Sequence, residues 1–177
     1  MLFATSCAMP ETKIYSLHVP ADNVAAQSRK QVMVTLRVQS PRYLTQPYIA
    51  QRSSPYQLEI SGYAKWDSPP ADMVREIFRD ALMSHFQQVR TSNAVADKSV
   101  VLTINLKRFE RVDEVYGELV LDAELSTAEG KGIHRMTASK KVLLETKDNA
   151  GLAKALSSAL SASVQEVITA MDNSIRE

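Results

Sequence analysis

The segment from Ser99 to Thr146 constrains the fold most. Three successive stretches there read as strands, and the first two place apolar residues on alternate positions. In "SVVLTINLKRFER" these are Val100, Leu102, Ile104 and Leu106. In "VYGELVLDAEL" they are Leu119, Leu121, Ala123 and Leu125, with Glu118, Asp122 and Glu124 on the other face. "IHRMTASKKVLLET" follows after the turn "STAEGKG", which holds two of the five glycines. A period of two describes strands with one buried face, and short links between consecutive strands favour an antiparallel meander.

A sheet of this kind needs a cover for its apolar face, and two amphipathic helices supply one. "SPPADMVREIFRDALMSHFQQV" carries Val74, Ile77, Phe78, Ala81, Leu82 and Phe86 in steps of three and four. Ser68 is its expected N-cap, Pro69 and Pro70 fit the first turn, and Asp72 favours the positive end of the dipole. "KDNAGLAKALSSALSASVQEVITAM" closes the chain, with Asp148 or Asn149 as cap and Leu152, Leu156, Leu160, Val164, Val167 and Met171 along one face. Its other side is rich in Ser and Ala, so cover on one side only is expected.

Three more strands are expected upstream: "KIYSLHVP" (Lys13–Pro20), "QVMVTLRVQS" (Gln31–Ser40) and "YQLEIS" (Tyr56–Ser61). Between them, "ADNVAAQSRK" reads as a polar connector and "PRYLTQPYIAQRSSP" as an ordered loop or short helical turn. The expectation is an α+β domain over 13–177, an antiparallel sheet of about six strands with two main helices packed on one face.

Composition excludes several classes. The chain has 21 basic and 20 acidic residues, without the basic excess of a nucleic-acid binder. No apolar run approaches the ~20 residues of a spanning helix. There is no glycine-rich phosphate loop and no nucleophile elbow. His18, His85 and His134 stand far apart, with no partner at metal-ligand spacing. The acidic residues of "GELVLDAEL" read as a solvated strand face. No catalytic residue, metal ligand or cofactor is therefore assigned.

Cys7 is the only cysteine among 177 residues. Three readings compete for it: a thiol without a role, a catalytic nucleophile, or an acylated lipoprotein cysteine. A nucleophile needs a nearby base to lower its pKa. Ala4-Thr5-Ser6-Cys7 resembles a lipobox, with small residues at the two preceding positions and Ala4 where leucine is preferred. Residues 1–12 then read as a truncated lipoprotein signal and tether.

The order of pieces resembles the ABC-type transport auxiliary lipoprotein family, the PqiC-like proteins. "YSL" follows the lipoprotein cysteine. A strand ends in "VQSPRYLTQPYIAQR", similar to the family pattern V-x-x-P-x-Y-L-x-x-x-x-I-x-x-R. "YQLEISGYAKW" places a tryptophan just before the first helix, and "LTINLKRFE" and a C-terminal amphipathic helix follow. The resemblance spans Tyr15 to Met171.

The resemblance implies a non-catalytic, lipid-anchored subunit of an MCE-type intermembrane lipid transport system. Cys7 would be the lipid attachment site. Ala8 follows it, rather than the aspartate that retains many lipoproteins in the inner membrane, so the periplasmic face of the outer membrane is implied. The implied partner is the periplasmic MCE-domain protein, with a second copy of the chain as a further candidate and no nucleic acid. Tyr43, Leu44, Tyr48, Arg52 and Trp66 are the candidate partner-binding residues, with Ile49 and Arg42 beside them. For the aromatic and apolar members, filling the core is an equal alternative. The competing function is a stand-alone cell-envelope binding domain or envelope enzyme in which Cys7 is incidental.

Overall fold

The computed structural model describes residues 11–20, 29–92, 94 and 99–175. Cys7 and most of the connector after Pro20 lie outside the described residues. The elements run β1 (Lys13–Tyr15), β2 (Lys30–Gln39), a 3-10 turn (Arg42–Thr45), β3 (Tyr48–Ser54) and β4 (Gln57–Trp66). Then come α1 (Pro70–His85), β5 (Phe86–Thr91), β6 (Val100–Val112), β7 (Tyr116–Thr127), β8 (Gly132–Leu143) and α2 (Asn149–Ser174).

The meander is present: β6 pairs antiparallel with β7 from Val100↔Thr127 to Val112↔Tyr116, and β7 pairs antiparallel with β8. Its apolar alternation faces the helices, so Leu102, Ile104, Leu106, Leu119, Leu121 and Leu125 are all 2 % exposed or less. At about 1.5–3 kcal/mol for each fully buried leucine or isoleucine, this layer is a main source of stability.

On its other side β6 divides the sheet. Its first half pairs with β2, from Val34↔Val100 to Gln39↔Asn105, and its end pairs with β3 at Gln51↔Arg111 and Arg52↔Val112. Beyond β2 lies β5, and beyond β3 lie β4 and then β1.

The structure corrects the expected sheet in two ways. It has eight strands, because β3 and β5 come from segments assigned to a loop and to the end of the first helix. It is also mixed: β1 with β4, β2 with β5, β2 with β6 and β3 with β6 all pair in parallel. Alternation states which face a residue takes and carries nothing about a neighbour's direction. Direction follows from the connections, and helix α1 returns the chain over the sheet so that β5 runs parallel to β2. Phe86 explains the second miss. It continues the helical stripe from Leu82, yet its backbone is extended (φ −122°, ψ 147°), so it begins a strand and still enters the core.

The helix boundaries bear on the caps. The residue at the α1 cap position is Pro69, not Ser68, and it makes no side-chain cap bond. Pro70 at the first helical position has no N–H to satisfy, while the Pro69 carbonyl accepts from Asp72 and Met73. Helix α2 is capped by Asp148, whose Oδ1 accepts the Gly151 N–H at 2.8 Å, an interaction worth about 1 kcal/mol. That N–H is the first cause of the depressed Asp148 pKa. Gly151 is required there, since a Cβ would lie 2.0 Å from the Thr146 carbonyl oxygen.

Helix α2 is covered on more than the expected side. It packs on β7 and β8, touches α1, and receives the chain after β1. Ser163 is wholly buried and bonded to the Ala159 carbonyl, and the Ser157 hydroxyl accepts the His18 N–H at 3.0 Å. Small serines on this flank let the N-terminal segment approach while their hydroxyls bond locally. Both helices share one hydrophobic core with the sheet, which includes Trp66, Phe78, Phe86 and Phe109.

Candidate functional site

The segment Pro41–Arg52 is a detour between two strands that flank the same neighbour. On β6 the last contact of β2 is Asn105 and the first contact of β3 is Arg111, six residues on. Gln51 lies twelve positions on from Gln39, twice the advance along β6, so the intervening chain must bulge out and return. The 3-10 turn Arg42–Thr45 takes up the excess. A ladder interrupted in this way leaves backbone groups of β6 without strand partners, and these need replacements.

The motif residues fill the gap. Leu44 is 0 % exposed and plugs it from the core side. Tyr43 directs its hydroxyl at β6, where it lies 3.3 Å from the Lys107 carbonyl oxygen and 3.0 Å from Glu110 Oε2. Arg52 reaches the same carboxylate, with Nε 2.5 Å from Oε1 and Nη2 3.2 Å from Oε2. Glu110 itself is 0 % exposed. The segment therefore ends in a buried carboxylate held by one guanidinium fork and one phenol.

The sequence-predicted partner residues divide accordingly. Leu44 and Trp66 are core residues, which corrects their assignment to a partner surface: a side chain with no accessible area has nothing to offer a partner. Trp66 is 2 % exposed and meets Phe109 edge-to-face at 5.5 Å. Ile49 is likewise buried. Tyr43 and Arg52 are turned to Glu110 by side-chain bonds within the chain. Tyr48, at 37 % exposure, and Arg42 are the exposed members. Sequence reasoning missed Glu110 because it follows Phe109 where the alternation of β6 breaks. A register shift between Leu106 and Arg108 breaks the period.

Burial, and next the charge of Glu110, holds the Tyr43 hydroxyl well above the usual tyrosine pKa. Arg52 is also raised, first through its bond to Glu110. A folded-state pKa above the unfolded one gives stability that is complete below the unfolded value, about 10 for tyrosine, and lost as pH rises beyond it. Stability to urea should thus fall with pH above about 10. Tyr43→Phe should make that fall shallower by up to about 1.4 kcal/mol per pH unit. An unchanged alkaline slope in the variant would contradict the bond to Glu110.

The rest of this face carries paired charges. Lys107 bonds Asp122 at 2.5 Å, Arg108 bonds Glu118 at 2.8 Å, and Arg135 bonds Glu124 at 2.8 Å. The acidic residues of β7 are a solvated strand face, as the sequence indicated. The three histidines stay apart. His18 and His134 are exposed, and His85 Nδ1 lies 3.9 Å from Asp172. Among the described residues, no group of three His, Cys, Asp or Glu could hold a metal ion. None of the described helices is long and apolar enough to cross a membrane.

The family model for the ABC-type transport auxiliary lipoprotein component matches residues 15–168. The chain belongs to that family. This auxiliary lipoprotein is also similar in fold to a crystal structure of protein XCC0632 from Xanthomonas campestris, of the family DUF330. That pair has a TM-score of 0.75 and 23% identity, covering 93% of this chain and 100% of the other. A crystal structure of an uncharacterised protein aligns with a TM-score of 0.72 at 14% identity, over 91% of this chain and 99% of its own. No curated protein matches the sequence significantly. The family match begins at the last residue of β1 and ends in α2, so it takes in the strand break, Glu110 and both helices.

Proposed function

We propose that this auxiliary lipoprotein is a non-catalytic subunit of an MCE-type system that moves lipids between the inner and outer membranes. Cys7 carries the lipid anchor, the outer membrane holds it on its periplasmic face, and the domain over 13–177 docks on the periplasmic MCE protein. The family match over 15–168 is the observation that carries this reading, and the lipobox-like Ala4-Thr5-Ser6-Cys7 supports the anchor. The polar groups that look most chemical in sequence, Tyr43, Arg52 and Glu110, are engaged with one another and fit a structural part better than a catalytic one.

Affinity capture from detergent-solubilised envelopes tests the assignment. The MCE protein of the same transport system should come down with this chain. Its absence under conditions where its own permease is retained would overturn the reading.

Tyr48 is the member of the motif left to meet a partner. As a docking residue, Tyr48→Ala should weaken association with the MCE protein by about 1–2 kcal/mol. It should leave the denaturation midpoint nearly unchanged, since Tyr48 already keeps 37 % of its surface in solvent. Calorimetric binding and urea unfolding on one purified variant separate the two effects. Normal binding per folded molecule would exclude the docking role.

A further inference from the structure

Five of the eight large exposed apolar side chains among the described residues lie along one edge of the sheet. These five, Ile14, Tyr48, Tyr56, Ile60 and Tyr63, belong to β1, β3, β4 and the β3–β4 turn. Tyr56 is 99 % exposed, Ile14 68 % and Tyr63 62 %. Ile14 and Tyr48 both stand opposite Lys65, and residues directly opposite share a face. Ile60, 45 % exposed, stands opposite Ala50 beyond a register shift between Tyr48 and Ala50. That face continues over β6–β8 mainly as ion pairs, with Leu143 of β8, opposite Tyr116, as a separate exposed apolar side chain.

The corner is also where the tether arrives. Lys13, the first residue of β1, is six residues after Cys7. Six residues span at most about 20 Å when fully extended. Whatever path they take, β1 stays within that distance of the atom that carries the lipid. The opposite end of the sheet is remote. Ser126, next to the β7–β8 turn, pairs with Val101, while Tyr48 lies three residues before Gln51, the partner of Arg111, so about 23 Å of β6 separates the two levels.

We infer that the edge formed by Ile14 of β1 with Ile60 and Tyr63 of β4 rests on the lipid headgroup region of the membrane that holds the anchor, while Tyr48 on β3, the next strand in, stays with the partner. This rests on the lipid attachment at Cys7 proposed above. Tyrosine suits that zone because its ring is apolar and its hydroxyl remains wet. Isoleucine side chains add apolar area beside it. Lys13 and Lys65 are offset by Glu59 and Asp67 on the same or adjoining stretches, so the contact is apolar rather than a basic patch. The contact can be weak in isolation, since a short tether makes it intramolecular and raises the effective concentration of lipid at the corner. The consequence is orientation: the β1–β4 corner lies down and the β7–β8 turn points away from the bilayer.

The full chain can be coupled through its single thiol, Cys7, to maleimide-headgroup lipid in vesicles of phosphatidylethanolamine and phosphatidylglycerol. This link replaces biological acylation, so failure of the anchor in cells and failure of the contact are read separately. Tyr63→Trp reports the corner and Ile133→Trp the far end, with buried Trp66 as a constant background. Nitroxide-headgroup lipid should quench the Tyr63→Trp protein about twofold or more above the Ile133→Trp protein. Salt should not abolish the difference, and adding Ile14→Ser and Ile60→Ser should. All these positions are exposed, so the fold is expected to survive, and thermal unfolding checks that. Equal quenching at the two sites would overturn the inference. So would a corner shielded from a soluble quencher only at high protein density, which would mark a contact between copies.

Discussion

Arg52→Ala should destabilise the fold by about 3 kcal/mol and lower its melting temperature by about 6–12 °C. The cause is the carboxylate it leaves behind. Glu110 is 0 % exposed, and without Arg52 its remaining side-chain partner is the neutral hydroxyl of Tyr43. Removing one member of a buried pair costs about 3–5 kcal/mol because the other charge stays out of water unpaired. Arg52 keeps 23% of its side chain in solvent, which puts the effect at the low end of that range. Replacing the cluster by apolar residues, with Tyr43→Phe, Arg52→Met and Glu110→Leu together, should recover most of the loss. The pattern of a costly single and a mild triple identifies a buried charge. A single variant within about 0.5 kcal/mol of wild type would mean that water already reaches Glu110.

The second large effect concerns attachment. Expressed behind a complete lipoprotein leader, the wild-type protein should fractionate with membranes and incorporate labelled fatty acid. Cys7→Ser should appear unlabelled in the soluble periplasm. The expected change is all-or-none because acyl chains dominate the energetics, at about 0.8 kcal/mol per buried methylene. One chain binds reversibly, whereas the several chains of a mature lipoprotein hold stably. The aromatic corner adds orientation and cannot by itself replace the anchor, so Cys7→Ser remains soluble with Ile14 and Tyr63 intact. Wild-type protein without label would remove the lipoprotein reading of Cys7.

The two outcomes bear on different parts of the family signature. The motif Pro41–Arg52 is specific in sequence, which invites a role at a partner surface. The structure gives most of that specificity to an internal need. A strand that leaves β6 and rejoins it six residues later requires a plug, a donor for a stranded carbonyl and a counter-ion for Glu110. Leu44, Tyr43 and Arg52 meet those three needs in turn. Tyr48 and Arg42 are what remains for recognition.

What the sequence determined by itself was local. A period of two in β2, β6 and β7 and steps of three and four in α1 and α2 place each apolar residue on its inner face, because burial selects one face of each element. Asp148 could be read as the α2 cap because its partner, the Gly151 N–H, is three residues away. The tertiary structure decided whatever depends on distant chain. Arg52 meets Glu110 across 58 residues, and Tyr43 meets it across 67. β2 and β3 became parallel neighbours of β6 through connections that side-chain periodicity does not encode. β5 became a strand where a helical stripe continued, because pairing with β2 satisfied an extended backbone at Phe86. Periodicity fixes which way a side chain faces; which strand or charge it then meets follows from long-range pairing, whose free energy is shared between segments far apart in the chain.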